Sequence, residues 1–211
     1  AKTFTVLSSV NELNILDNEG SSPYSADPNH SDHKFSFTYN MTAALANNVE
    51  VNNVSAFNDM TVNADSRGQQ YKPSVAVAKN GDYVVVWEDD KDNNGKYQVY
   101  ARGFYKGGCE KFPVKTVNID PGGQQLKPRV GMAEDGSFVV VWEDDRDNNG
   151  YYQVRAARFT SMGVKKSLDF TVNTNANKQQ LKPDIAMGPN GNFVVAWEDD
   201  SNGATGVYQV F

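Results

Sequence analysis

Cysteine is almost missing from this chain of 211 residues: the one thiol is Cys109, beside Gly107 and Gly108 in a turn-like stretch. A single cysteine forms no internal disulfide, so nothing in the fold is stapled, and Cys109 reads as a bystander. Histidine is nearly as scarce, with only His30 and His33, and both lie in the polar run Asp27-Pro28-Asn29-His30-Ser31-Asp32-His33. That leaves no histidine elsewhere for a nucleophilic triad, and there is no Gly-x-Ser-x-Gly or phosphate-loop motif. An H-x-x-H pair flanked by aspartates could hold a metal, but this one reads first as a polar loop. No run approaches the roughly 18 apolar residues of a membrane span, so membrane insertion is not expected. The opening residues, from Ala1 to Val10, lack the basic and apolar regions of a signal peptide and are compatible with a mature end left by cleavage. Positive charge is in deficit, 20 Lys and Arg against 26 Asp and Glu for a net charge of −6. Nucleic acid and anionic membranes are therefore disfavoured as partners, and cations are favoured.

The chain does have a repeat. Trp87, Trp142 and Trp197 stand 55 residues apart, as do Pro73, Pro128 and Pro183. Thr61-Val62-Asn63 recurs in the same register as Thr116-Val117-Asn118 and Thr171-Val172-Asn173. A fixed period near 50 is the mark of propellers and related arrays. Turn signals cut each unit into four short strands, in the first unit about Pro73–Ala78 (A), Tyr83–Glu88 (B), Tyr97–Phe104 (C) and Phe112–Val117 (D). Asn80-Gly81 suits a type I′ hairpin between A and B. Strand B is valine-rich on both faces, as a strand sandwiched between neighbouring sheets should be.

The expected fold is therefore all-β: a β-propeller or propeller-like array of four-stranded antiparallel blades on a 55-residue repeat. Residues 57–211 hold three units, the last ending within its strand C. Residues 1–56 lack the motif but alternate like strands at Thr3–Leu7 and Lys34–Tyr39. They read as a degenerate blade, a separate β-module or a cap, and self-association that completes the last blade is another option. The pattern VVVWEDDxDNNGxYQVxARxF, preceded by QQxKP, resembles the repeats of β-propeller-like regions in secreted and surface bacterial proteins. The resemblance covers residues 57–211 and implies a secreted or cell-surface setting.

Antiparallel alternation puts the start of A, the end of B, the start of C and the end of D at one end of each blade. The Gln-Gln-x-Lys-Pro segment and the B–C loop therefore share a face, and loops on a rigid scaffold are where binding resides. Candidate ligand-binding residues on it are Gln70, Lys72 and Tyr97, with Gln125, Lys127 and Tyr152, and Gln180, Lys182 and Tyr208 in the later units. The tryptophans read as core, the lysines as ion-pair partners of Glu88, Glu143 and Glu198, and the glutamines as partners of loop backbone. The B–C loop reads D-x-D-x-N-G twice, giving Asp90, Asp92 and Asn94, then Asp145, Asp147 and Asn149, as candidate ligands for Ca²⁺. The third copy has lost the middle aspartate, and no EF-hand glutamate closes any of them. A polar turn that binds nothing is the competing reading. Three Asn-x-Ser/Thr sequons, at Asn29, Asn40 and Asn53, are about what chance supplies in so asparagine-rich a chain.

Carboxylate pairs recur three times, whereas an active site is singular, so repetition argues against catalysis. The expected function is a secreted or surface, calcium-stabilised, multivalent binding module for a glycan or other extracellular ligand. The alternative is a non-catalytic structural or accessory domain of a larger secreted enzyme or adhesin. A glycoside or peptide hydrolase is the least favoured reading.

Overall fold

The structure is a computed structural model; it describes residues 59–175, 178–200 and 206–211. The chain divides into two compact units, Ala1–Glu50 and Val51–Phe211, and the described residues all fall in the second. The expectations for residues 1–56, including the histidine pair and the sequons, lie outside the described residues.

The described residues form antiparallel sheets with no helix. The first sheet contains β1 (Gln70–Val77), β2 (Tyr83–Asp89), β3 (Gln98–Phe104) and β4 (Glu110–Thr116), hydrogen-bonded in sequence order. The second repeats this with β5 (Gln124–Met132), β6 (Phe138–Asp145), β7 (Gln153–Phe159) and β8 (Phe170–Thr171). The third has β9 (Gln180–Met187), β10 (Phe193–Asp199) and β11 (Gln209–Val210), in the order β11-β10-β9. Each sheet is a meander, and the first strands of successive sheets adjoin. This is a propeller-like array of blades.

Valine on both faces of the second strand has the expected cause, fully visible only in the middle sheet. Every residue of β6 is buried, because Val140 packs towards the first sheet while Val139 and Val141 pack towards the third. In β10, which no further sheet follows among the described residues, Val194 is 72 % exposed.

Two local expectations are corrected. The A–B hairpin is not type I′. The Gly81 amide donates to the Ala78 carbonyl at 2.9 Å and the Ala78 amide to the Asp82 carbonyl at 2.8 Å. Of the turn residues only Gly81 has a positive φ, 91°, so this is a longer loop in which glycine alone takes the left-handed position. The Asn80 side chain accepts the Asp82 amide at 3.0 Å, which satisfies that turn without a left-handed asparagine.

Strand A also starts three residues earlier than its proline suggested. Gln70 pairs with Asp89 and Tyr71 with Glu88 before the register shifts to Ser74 and Val86. The bulge absorbs the proline, which has no amide to give the ladder. Its cost is carried by the preceding lysine: Lys72, Lys127 and Lys182 have φ of 50°, 49° and 50°.

Thr-Val-Asn has a purpose that periodicity did not reveal. Asn118 accepts the Val99 amide at 2.9 Å and donates to Gln98 and the Asp120 carbonyl, continuing the β3–β4 ladder with a side chain. Asn173 does the same for Val154 at 2.9 Å.

Candidate functional site

The ladder registers place Gln70, Asp89 and Gln98 side by side at one end of the first sheet, as alternation required. At this end the Glu-Asp-Asp run divides into three separate tasks, because successive strand residues point to opposite faces. Asp89 accepts the Trp87 indole N–H at 3.0 Å, and Asp144 accepts that of Trp142, also at 3.0 Å. Trp87 and Trp142 are core, Trp142 wholly buried, while Trp197 in the third sheet is half-buried. Asp90 turns into its own loop and accepts the amides of Asn94 at 3.0 Å and Gly95 at 3.1 Å. Glu88 and Glu143 reach the neighbouring sheet.

Glu88 Oε2 accepts the Lys127 amide at 2.7 Å, and Glu143 Oε1 accepts the Lys182 amide at 2.7 Å. The left-handed lysine makes this possible, because it turns an amide out of the ladder towards the preceding sheet. Its ammonium turns the other way, onto its own sheet: Lys127 Nζ lies 3.0 Å from Glu143, and Lys182 Nζ 3.0 Å from Glu198. Glu88, Lys127, Glu143, Lys182 and Glu198 thus form one chain of contacts through all three sheets. A second clasp runs beside it. Gln124 accepts the Tyr97 amide at 3.1 Å and donates to the Gly95 carbonyl at 2.7 Å, and Gln179 repeats this on Tyr152 and Gly150. Sequence reasoning paired lysines and glutamates within a blade but missed these links between blades, whose only signal was a lysine preceding a bulge-forming proline.

The predicted ligand residues are dispersed among these roles. Gln70 and Gln125 donate to the Arg67 and Gly122 carbonyls, at 2.7 and 2.6 Å, and Gln180 is fully buried. Lys72 is exposed, while Lys127 and Lys182 are ion-paired. Tyr97 stacks on Tyr71 with ring centroids 6.0 Å apart, an aromatic surface at this end of the first sheet. Burial pushes the Tyr152 phenol up, and the charges of Asp145, Glu143 and Glu88 add to the rise. Tyr208 stands 40 % exposed on the third sheet.

The proposed calcium ligands are engaged with one another. Asp92 accepts the Asn94 amide group at 2.8 Å, and Asp147 that of Asn149 at 2.7 Å. Asp145 accepts the Gly150 amide at 3.1 Å. Among the described residues no three His, Cys, Asp or Glu side chains group closely enough to hold a metal.

The three glutamates are not equivalent, although the sequence repeats them. Glu143 is 1 % exposed, with both oxygens on Lys127 and one also on the Lys182 amide. Glu198 has a side chain 31 % exposed. Glu88 is 5 % exposed and, among the described residues, makes a single hydrogen bond, through Oε2. Burial raises its carboxyl above the ordinary range, against the pull of the Lys127 amide and of the Lys72 and Lys127 charges, and repulsion from nearby Glu143 adds to the rise. Asp65, Asp82 and Asp135 are displaced the other way by hydrogen bonds, Asp65 to about 2.

No protein-family model and no curated protein sequence matches the chain. Solved structures do show likeness. An endo-arabinase from Bacteroides thetaiotaomicron aligns at 15% identity and a TM-score of 0.43, over 68% of this chain and 55% of its own. A glycosyl hydrolase from Bacteroides ovatus aligns at 12% and 0.40, over 62% and 44%. A third structure is described by the statement that the GH130 family of mannoside phosphorylases contains glycoside hydrolases targeting β-1,2 mannosidic linkages in Candida mannan. It aligns at 12% and 0.42, over 70% and 49%. The chain spans about half the length of these structures.

All three are described as enzymes of carbohydrates, which runs against the expectation of a non-catalytic binding or accessory module with no enzymatic activity. That expectation is withdrawn. Its physical premise also fails, since it took three copies of a carboxylate to be three equal sites, and the sheets give Glu88, Glu143 and Glu198 different surroundings. The low scores assign neither an activity nor a residue role to this chain.

Proposed function

We propose that this chain is part of a carbohydrate-active enzyme that cleaves glycosidic bonds at the loop-bearing end of the sheets. The observation that carries the reading is the displaced carboxyl of Glu88, joined through Lys127 to a second carboxylate, Glu143. Cleavage of a glycoside calls for one carboxyl that keeps its proton and delivers it to the leaving oxygen. A second, charged one stabilises the oxocarbenium-like transition state or activates water. Glu88 suits the first task, because burial favours its protonated form and Oε1 takes no hydrogen bond among the described residues. Glu143, held by the Lys127 ammonium and the Lys182 amide, suits the second. The Tyr71–Tyr97 stack offers an apolar surface of the kind on which a sugar ring packs.

Calcium in the B–C loops belongs to this reading as a proposal, with Asp92 and Asp147 as the ligands that would exchange the Asn94 and Asn149 amides for a cation. A secreted or surface setting, where polymeric glycans are met, goes with it. The test is release of reducing ends from a panel of soluble polysaccharides, arabinan and mannan included. Wild type should release them and Glu88→Gln should lose roughly a hundredfold or more, as removal of a general acid does. Equal release by the two proteins would remove Glu88 from the chemistry.

A further inference from the structure

Among the described residues the first and third sheets each keep an open face, and the two are the halves of an interface that the chain already builds twice. Inside the chain, the trailing face of one sheet presents Val84 and Val86, or Val139 and Val141. The leading face of the next presents Val130, or Ile185 and Met187. By the 55-residue period, Val75 in β1 is the first unit's counterpart of Val130, and Val194 in β10 is the third unit's counterpart of Val84 and Val139. Val130 is 7 % exposed and Val75 59 %; Val84 and Val139 are 0 % and 4 % exposed and Val194 72 %. The same residue type at the same place in the sheet is closed inside the array and open at its ends.

The polar clasp is cut at the same two places. Each internal junction places a left-handed lysine amide on the glutamate of the preceding sheet. Among the described residues Glu198 holds just its own sheet's Lys182 ammonium, with its side chain 31 % exposed. Lys72 already has the donor conformation, φ 50° against 49° and 50° for the two lysines that are engaged. An exposed carboxylate at one end and a pre-set amide on a lysine at the other are complementary in charge and in hydrogen bonding.

We propose that a second copy of this chain docks head to tail here, its first unit's leading face on the third unit's trailing face, with the Lys72 amide on Glu198. The partner is a copy because docking requires a valine pair, a left-handed lysine amide and a glutamine clasp at one fixed spacing, and the first unit carries all three. Such a contact joins unlike surfaces, so it closes into a ring or continues as a chain of copies according to the rotation per unit. The inference rests on packing alone and stands apart from the catalytic reading.

Sedimentation of the full chain tests it. Wild type should associate with rising concentration. Val75→Asp and Val194→Asp should each be monomeric with an unchanged circular dichroism spectrum, because both sites are exposed within one copy and an aspartate is costly only where the docked face would bury it. Mixed together, the two variants should form a one-to-one pair and nothing larger, since Val194→Asp retains a sound leading face and Val75→Asp a sound trailing face. A monomeric wild type, association that survives both substitutions, or a mixture that stays monomeric would each overturn the proposal.

Discussion

Replacing Glu143 with alanine should loosen the third sheet from the second and cost far more than replacing a surface glutamate. The substitution removes the acceptor of the Lys182 amide at 2.7 Å and the carboxylate on Lys127 Nζ at 3.0 Å. A buried donor left without a partner costs about 1–3 kcal/mol, and breaking a buried ion pair by removing one member costs about 3–5 kcal/mol. Glu143 is 1 % exposed, but the Lys127 side chain is 39 % exposed and regains water, which places the loss near the lower end, about 3 kcal/mol. The control is Glu134→Ala, which breaks a pair with Lys79 whose side chains are 48 % and 72 % exposed. That pair contributes about 0–1 kcal/mol. In urea, where a small domain loses about 1–3 kcal/mol per molar, Glu143→Ala should lower the midpoint by roughly 1–3 M and Glu134→Ala hardly at all. Amide hydrogen exchange should show β9 and β10 opening first, because neighbouring units of an array are coupled through their interfaces. Equal shifts for the two variants would refute the inter-sheet clasp.

Other outcomes follow from the same geometry. Lys111, 2.7 Å away, holds the Asp82 carboxyl below the ordinary range, with Asn80 and the Lys106 amide assisting. A carboxyl lowered by folding contributes stability above its unfolded pKa and loses it as pH falls through the folded one. Asp82→Asn should therefore cost about 1.5–3 kcal/mol at neutral pH and make the acid decline shallower, read by melts over a pH series. Asn118→Ala leaves the Val99 amide buried without its acceptor and should cost about 1–3 kcal/mol by urea titration, more than any exposed asparagine. Millimolar calcium should raise the melting temperature relative to chelator, and Asp92→Asn with Asp147→Asn should abolish the rise. Coincident melts would leave the loops as self-closed turns.

The array was legible because its causes are local and repeated. Continuous valine runs, Gly turns and a fixed period place β2, β3, β6 and β7 within a residue or two of their ends. The shared end of the loops followed from antiparallel order alone. Lys72, Lys127 and Lys182 were legible as charges but not as left-handed residues, because a lysine before proline carries no mark of positive φ. Their amide links to the preceding sheet were hidden for that reason. The glutamates were misjudged for a different one: sequence repetition implies equal sites, whereas burial depends on whether a sheet has neighbours on one side or both. Glu88, with a single hydrogen bond among the described residues, and Glu143, saturated by lysine contacts, cannot be told apart by residue type.

The most direct test of the catalytic reading is the pH dependence of reducing-end release by wild type and Glu88→Gln on the polysaccharide that gives the strongest signal. A general acid works while it keeps its proton, so activity should persist above the ordinary carboxylate range and fall as pH rises through the raised pKa of Glu88. In Glu88→Gln that activity and its alkaline limb should vanish together. No release at any pH, or an alkaline limb unchanged by the substitution, would contradict the assignment of glycosidic cleavage to this site.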